Sequence, residues 1–300
     1  MISAGIFNCY FPYDMEESIK RIKALGFNSV QLDLSFKGMD LSFDSLNAEK
    51  CHRIRDAFRD ANLPIVAVSG YTNLVHPNLK KREENIGNLK TLLKFARDLG
   101  SPYVVSETGT FNEESDWVYH PKNGTEEAYE TLCTILSDVI KFAYDHGSVF
   151  LVENYVNNII GTVNQVLRLF SDLHHNSIGL LMDPTNYFSD ANIDDVDGEL
   201  NRIFNALGNK IRVAHAKDCK RAENTAEKHA DIDASESHTF RGAGSVELPA
   251  PGLGILNYDL YLKRLSVIHP NIPIIIEHLD EADIPRAKKF LDDMLKKTGC

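Results

Sequence analysis

The sequence predicts an α/β protein: a single (β/α)8 TIM barrel over residues 1–300, with a long βα loop after the seventh strand. Three observations predict it. Short apolar runs alternate with longer amphipathic stretches along the whole chain. Most of those runs are apolar almost throughout, as parallel strands buried on both faces are. The residue just before a strand is repeatedly Gly or Asn, which tolerate the left-handed conformation that stops a helix.

Strands are expected at 2–7 (ISAGIF), 29–34 (SVQLDL), 64–69 (PIVAVS) and 103–107 (YVVSE). Four more are expected at 148–153 (SVFLVE), 178–183 (IGLLMD), 211–215 (IRVAH) and 272–277 (IPIIIE). Between them, Ile19, Ile22 and Leu25 fall on one helical face. So do Ile86, Leu89, Leu92, Leu93 and Ala96, and then Leu132, Ile135, Leu136, Val139 and Ile140. Leu167, Leu169 and Phe170 mark a further helix, and Leu260, Leu262 and Leu265 another. Left-handed stops are expected at Gly26, Gly100, Gly147 and Gly208, with Asn62 and Asn176 in the same slot. Helix, stop and strand repeating with no linker read as a closed barrel. A doubly wound open sheet shares the alternation, but usually carries a Gly-rich nucleotide turn after its first strand. GIFNCYF is no such turn.

Composition excludes several classes. At 43% hydrophobic and 25% charged residues, the chain is neither disordered, collagen-like nor a coiled coil. Its 32 basic and 43 acidic residues give a formal charge of −11, which disfavours nucleic acid and anionic membranes as partners. Cys9, Cys51, Cys133, Cys219 and Cys300 are scattered and form no CxxC, so a reducing, cytoplasmic location is expected. No apolar run approaches the ~18 residues of a membrane span. Asn123-Gly124-Thr125 is read as a chance sequon.

Barrel enzymes keep their chemistry at the C-terminal strand ends. Here those ends read Glu107, Glu153, Asp183, His215 and Glu277. A buried carboxylate without a partner is costly, and several converging on one mouth repel one another. A divalent cation resolves that conflict. Three carboxylates and an imidazole suit Mn²⁺ first, with Mg²⁺, Co²⁺ or Zn²⁺ also accommodated. The sequence has no HExxH, zinc-finger spacing, P-loop or GxSxG. The polar segment 219–255, rich in Gly242, Gly244, Gly252 and Gly254, is expected to include a mobile cover over the pocket. Lys217 and Arg241 are candidate cations for substrate oxygens, a phosphate or a carboxylate, and His76 follows strand three beside Asn73. Trp117 and His120 lie in the loop after strand four, where an aromatic face suits a sugar. Phe7, Tyr10 and Phe11 either wall the pocket or pack in the core. His174 and His175 read as charge complements at a helix C-terminus.

Several motifs together resemble a known family: LVEN at 151–154, MDPTN at 182–186, HAKD at 215–218, PGLGILNY at 251–258 and IIEH at 275–278. With SGYTNLVHP at 69–77 and SETGT at 106–110, they resemble the xylose-isomerase-like superfamily of sugar and sugar-phosphate isomerases and epimerases. The resemblance implies one divalent metal on Glu153, Asp183, His215 and Glu277, with the two glutamates also acting as acid and base. Many members carry His three residues after the strand-six Asp; here Asn186 stands at that substrate-binding place. Glu107 has no role fixed by the family and is assigned to the substrate pocket with Lys217, Arg241 and His76. The implied chemistry is proton abstraction next to the carbonyl of a sugar, polyol or sugar phosphate, through an enediolate. The same first step followed by loss of a β-substituent makes a lyase, such as an inosose-type dehydratase or a cleaver of 3-keto-glycosides. Two other classes share the fold. Phosphodiester hydrolysis would need histidines where Glu107 and Asn186 stand, and a passive sugar-binding protein needs no paired glutamates. The expected partner is a small sugar or polyol, and a homo-oligomer is compatible with the sequence.

Overall fold

The structure is a computed structural model and describes residues 1–222, 240–241 and 246–300. Eight parallel strands close into a barrel. They are β1 (Ser3–Phe7), β2 (Ser29–Leu32), β3 (Ile65–Ser69), β4 (Tyr103–Ser106), β5 (Val149–Glu153), β6 (Ile178–Met182), β7 (Ile211–Ala216) and β11 (Pro273–Ile276). Their order around the barrel is β1-β11-β7-β6-β5-β4-β3-β2. Every expected strand is present, with ends displaced by two residues or fewer. Three short strands, β8 (Lys220–Arg221), β9 (Phe240–Arg241) and β10 (Val246–Leu248), form a separate antiparallel sheet in the long loop after β7.

Helices α1 (Met15–Ala24), α2 (Ala48–Asp60), α3 (Leu79–Phe95), α4 (Glu126–Asp145), α5 (Val163–Asp172), α6 (Val196–Leu207), α7 (Tyr258–Ile268) and α8 (Ile284–Thr298) complete the βα units. Side-chain caps start most of them. Asp14, Asn47, Asn78, Thr125, Asp195 and Asn257 each accept a backbone N–H in the first turn, and Thr162 forms a capping box with Gln165. Each cap satisfies an orphan donor and so fixes where a βα loop ends.

Strand side chains alternate, so one parity of each strand faces the helices and the other faces the barrel interior. Ile6, Val68, Val104, Phe150, Val152, Leu180, Ala214, Ile274 and Ile276 join the core beneath the helices. Phe7, Ala67, Val105, Leu151, Leu181, Val213 and Ile275 form a second, inner cluster. On β2 the equivalent inward place, paired with Phe7 and Ala67, is held by Gln31. Phe7 is therefore a core residue, as is Phe11, and Tyr10 packs at the edge of both clusters.

Two helix expectations are corrected. Gly26, Gly100, Gly147 and Asn62 do adopt positive φ, but Gly208 and Asn176 do not. Gly208 has φ −51° because α6 runs on into a 3-10 turn over Gly208–Lys210. A Cβ there would lie 2.5 Å from Ile268 Cδ1, so close packing is what the glycine serves. In α5 the buried face is Val163, Val166, Leu169 and Phe170, while Leu167 is exposed. Asn123 of the sequon is buried and donates to Thr110 Oγ1 and Asn157 O, which makes it a structural amide. Among the described residues, no helix is long and apolar enough to cross a membrane.

These conformations separate two glycine substitutions. Gly26→Ala places a methyl in open space at φ +78°, so its cost is purely conformational. It should lower stability by about 1–2 kcal/mol in urea unfolding. Gly208→Ala should change stability by less than about 1 kcal/mol, because helical preference for Ala offsets a shift of one terminal methyl. Equal losses for the two variants would contradict the right-handed assignment at Gly208.

Candidate metal centre

The strand-end residues converge because they share one parity. Glu107, Glu153, Asp183, His215 and Glu277 each lie two residues beyond an inner-cluster residue: Val105, Leu151, Leu181, Val213 and Ile275. They therefore form the next interior layer, at the C-terminal mouth. Glu153 and His215 lie within their strands, whereas Glu107, Asp183 and Glu277 lie just past theirs.

Ligand atoms of Glu153, Asp183, His215 and Glu277 all lie within 4.8 Å of one another, and all four residues are buried. His215 Nδ1 is 3.1 Å from Glu277 Oε1, 3.6 Å from Glu153 Oε1 and 3.9 Å from Asp183 Oδ2. Among the described residues, His215 Nδ1, Asp183 Oδ2 and Glu277 Oε1 make no aligned hydrogen bond. The three atoms meet at one point with only ion-pair contacts to one another and to Lys217, a donor set that a divalent ion would complete. The four residues fit a divalent ion: hard oxygens plus one imidazole, at spacings set by ligand bonds of about 2.0–2.5 Å.

A hydrogen-bond chain fixes the imidazole tautomer. Tyr71 O–H donates to Glu153 Oε2 at 2.5 Å. The phenol oxygen then accepts from Gln31 Nε2 (3.3 Å), which also donates to Ser69 Oγ. Gln31 Oε1 is left facing His215 Nε2 at 2.8 Å and accepts its N–H. The Nδ1 lone pair is thereby turned toward the carboxylates, the arrangement a metal-binding histidine needs.

One cation is already present. Lys217 Nζ lies 2.8 Å from both Asp183 Oδ2 and Glu277 Oε1, as ion pairs without hydrogen-bond alignment. It donates to Asn186 Oδ1 (3.2 Å) and faces His278 Nε2 (3.3 Å). Burial raises the Asp183 carboxyl to about 6 despite Lys217. Burial opposes charge on His215, but Glu277 and Glu153 overcome it and lift the imidazole to about 10. Burial would also protonate Glu277, yet His215 and Lys217 hold it well below the ordinary range. Burial and Lys217 pull His278 down to about 3, so it stays neutral, with Nδ1–H donated to Leu248 O.

The structure places the remaining expected residues unequally. Asn186 is buried, and its amide donates to Glu153 Oε1 (2.8 Å), so it braces a ligand as well as Lys217. Lys217 is buried in the cluster. Glu107 is buried at the same mouth. His76 is outside the ligand cluster: its Nδ1 accepts the Asn78 N–H in the turn that starts α3. The Arg241 side chain and residues 223–239 and 242–245 of the expected cover lie outside the described residues. Asp218 organises the PGLG segment. Its carboxylate accepts from Cys219 N, Gly252 N and Leu256 N, and a Cβ on Gly254 would meet it at 2.3 Å. Sequence reading missed Gln31, Tyr71 and His278. The polar residue inside the apolar run SVQLDL was the available signal for Gln31.

Metal uptake should follow these protonation states. Below about pH 10 the His215 Nδ1 proton must leave, and below about pH 6 so must one on Asp183. Affinity should therefore rise with pH, roughly tenfold per unit between pH 6.5 and 8.5 and more steeply below 6. Competition with a metallochromic chelator checks this, and a flat profile would place the ion elsewhere. Elemental analysis should find one divalent ion per chain, lost in the Glu153→Ala/Asp183→Ala variant.

The family model described as xylose isomerase-like TIM barrel matches residues 19–295. Among solved structures, the probable 3-DHS dehydratase AsbF from Bacillus anthracis superposes with a TM-score of 0.72 at 14% identity, covering 97% of this chain and 99% of that one. A xylose isomerase-like TIM-barrel protein from Mycobacterium smegmatis, in complex with magnesium, gives 0.69 at 15% identity, covering 99% and 96%. The 3-keto-D-glucoside 4-epimerase YcjR from E. coli gives 0.65 at 16% identity, covering 100% of each chain. No curated protein matches the sequence. At these identities the solved structures speak to the fold, and the family match speaks to descent: the chain belongs to the xylose isomerase-like TIM-barrel family.

Proposed function

We propose that this protein is a divalent-metal-dependent sugar isomerase or epimerase that works by removing a proton next to a carbonyl. The observation that carries this reading is the placement of two buried glutamates around one imidazole. Glu153 and Glu277 come from β5 and β11, with β6 and β7 between them in the barrel, so they reach the centre from the two ends of a four-strand arc. A planar enediolate between them presents one face to each carboxylate.

Glu153, Asp183, His215 and Glu277 would hold the ion. Bound there, Mn²⁺, Mg²⁺, Co²⁺ or Zn²⁺ supplies Lewis acidity to a substrate carbonyl and its neighbouring hydroxyl and stabilises enediolate charge. One glutamate accepts the α-proton and the other returns a proton to the opposite face. Tyr71 and Asn186 hold the Glu153 carboxylate through hydrogen bonds of 2.5 and 2.8 Å, and Lys217 holds Glu277. Such positioning offsets the weak basicity of a carboxylate. Two solved structures of the same fold are compatible with this class, one named a 3-keto-D-glucoside 4-epimerase and one a probable 3-DHS dehydratase. A β-leaving group on the substrate would turn the same proton abstraction into elimination.

A competent ketose should exchange its α-proton in D₂O, even where net conversion is small. Glu277→Gln keeps the size and one oxygen but removes the base, so exchange should fall at least ~10²-fold. Substrate deuterated at that carbon distinguishes exchange from a shielded transfer between carbons. A label that never moves during turnover would end the proton-abstraction proposal.

A further inference from the structure

Among the described residues, the non-glycine residues with positive φ are Asn62 and His278. Asn62 follows the end of α2, where the left-handed conformation is routine. His278, at φ +61°, follows Glu277 at the end of β11, where no helix stop calls for it. Such a conformation persists when the surroundings hold it. Three contacts help to do so. The His278 N–H donates to the Tyr10 hydroxyl oxygen at 2.8 Å, Nδ1 lies 2.9 Å from Leu248 O in β10, and Nε2 lies 3.3 Å from Lys217 Nζ. The Leu248 carbonyl can only accept and the Lys217 ammonium can only donate. The ring therefore carries its proton on Nδ1 and offers the Nε2 lone pair to Lys217.

This accounts for a feature of the cluster that charge alone does not explain. Lys217 Nζ stands 2.8 Å from Asp183 Oδ2 and from Glu277 Oε1, yet among the described residues neither oxygen receives an aligned hydrogen bond. An ammonium has three protons. Two are given to neutral acceptors, His278 Nε2 and Asn186 Oδ1. Positive charge stays beside the two carboxylates, while the lone pairs that would bind an ion stay uncapped. We propose that His278 is a positioning residue of the metal centre: it engages Lys217 so that Asp183 and Glu277 keep their ligand lone pairs, and its bond to Leu248 ties that arrangement to the sheet of the long loop. The inference rests on the metal-dependent reading of the cluster. Without the Nε2 acceptor the ammonium turns and donates to the carboxylates directly, which stabilises the metal-free protein and opposes uptake of an ion.

Two variants of the full chain separate the two bonds of the ring. Asn puts an amide nitrogen where Nδ1 stands and tolerates positive φ, but does not reach Lys217. Gln carries an amide oxygen to where Nε2 stands, loses the Leu248 bond and is less suited to positive φ. Mn²⁺ affinity is measured by competition with a metallochromic chelator, and stability by thermal unfolding without metal. His278→Asn should melt no lower than wild type and bind Mn²⁺ at least ~10-fold more weakly, as when a ligand loses a partner behind it. His278→Gln should melt lower and yet bind within about threefold of wild type. A merely structural role would rank the two variants the same way in both measurements. In a Lys217→Met background, His278→Asn should change affinity by less than about twofold, because its effect passes through Lys217. Wild-type Mn²⁺ affinity in His278→Asn overturns the proposal, as does an undiminished effect in the Lys217→Met background. If the His278→Gln or Lys217→Met protein does not fold, His278→Asn decides. A wild-type chain that takes up no Mn²⁺ would instead remove the metal centre, and the role of His278 with it.

Discussion

Three carboxylates closed into the mouth of a barrel cannot coexist unless positive charge is brought to them. That constraint governs the residues around Glu153, Asp183 and Glu277. Lys217 supplies one charge directly, and the imidazole of His215 takes a proton under the pressure of Glu277 and Glu153. A divalent ion held by these residues would replace that proton with two charges and complete the three atoms left without an aligned partner. Under the proposed reading, catalytic competence and electrostatic relief would be met by the same ion.

The reach of this arrangement extends one layer down the barrel. At seven strands the inner cluster is apolar, and at β2 it is Gln31. An amide in the core is satisfied only when all its partners are present. Here Ser69, Tyr71 and His215 provide them. The bond to Tyr71 leads to Glu153, so the tautomer of one ligand and the orientation of another are set by one side chain on the far side of the barrel. Changing Gln31 would disturb two ligands without touching either.

Much of this was legible in the sequence, for a physical reason. Glu153, Asp183, His215 and Glu277 each close a run of apolar residues, and a polar group at such a place must have a purpose. The five helices that announced themselves did so through apolar residues at helical spacing. The faces of α2, α6 and α8 were harder to read; α2 buries only Cys51, Ile54 and Phe58. Gly208 was misread because a glycine before a strand looks the same whether it serves φ or close packing. Gln31 and Tyr71 were missed because their meaning lies in register. Only when β2 stands beside β1 and β3 does Gln31 face the interior. His76 looked like a pocket residue from its distance to strand three, yet its ring serves a local turn.

The Asp218 carboxylate gathers the backbone of Gly252 and Leu256, while Tyr258 and Tyr261 donate to the carbonyls of Lys217 and His215. β8 and β9 each pair with β10, so the chain that leaves at Arg221 and returns at Phe240 is anchored at both ends. Closing a loop costs only slowly more as it lengthens. By closure entropy alone, a change in the length of the chain between those anchors would cost little. The described anchors tie both of its ends to the strand that follows, beside the mouth where His215 and Lys217 stand.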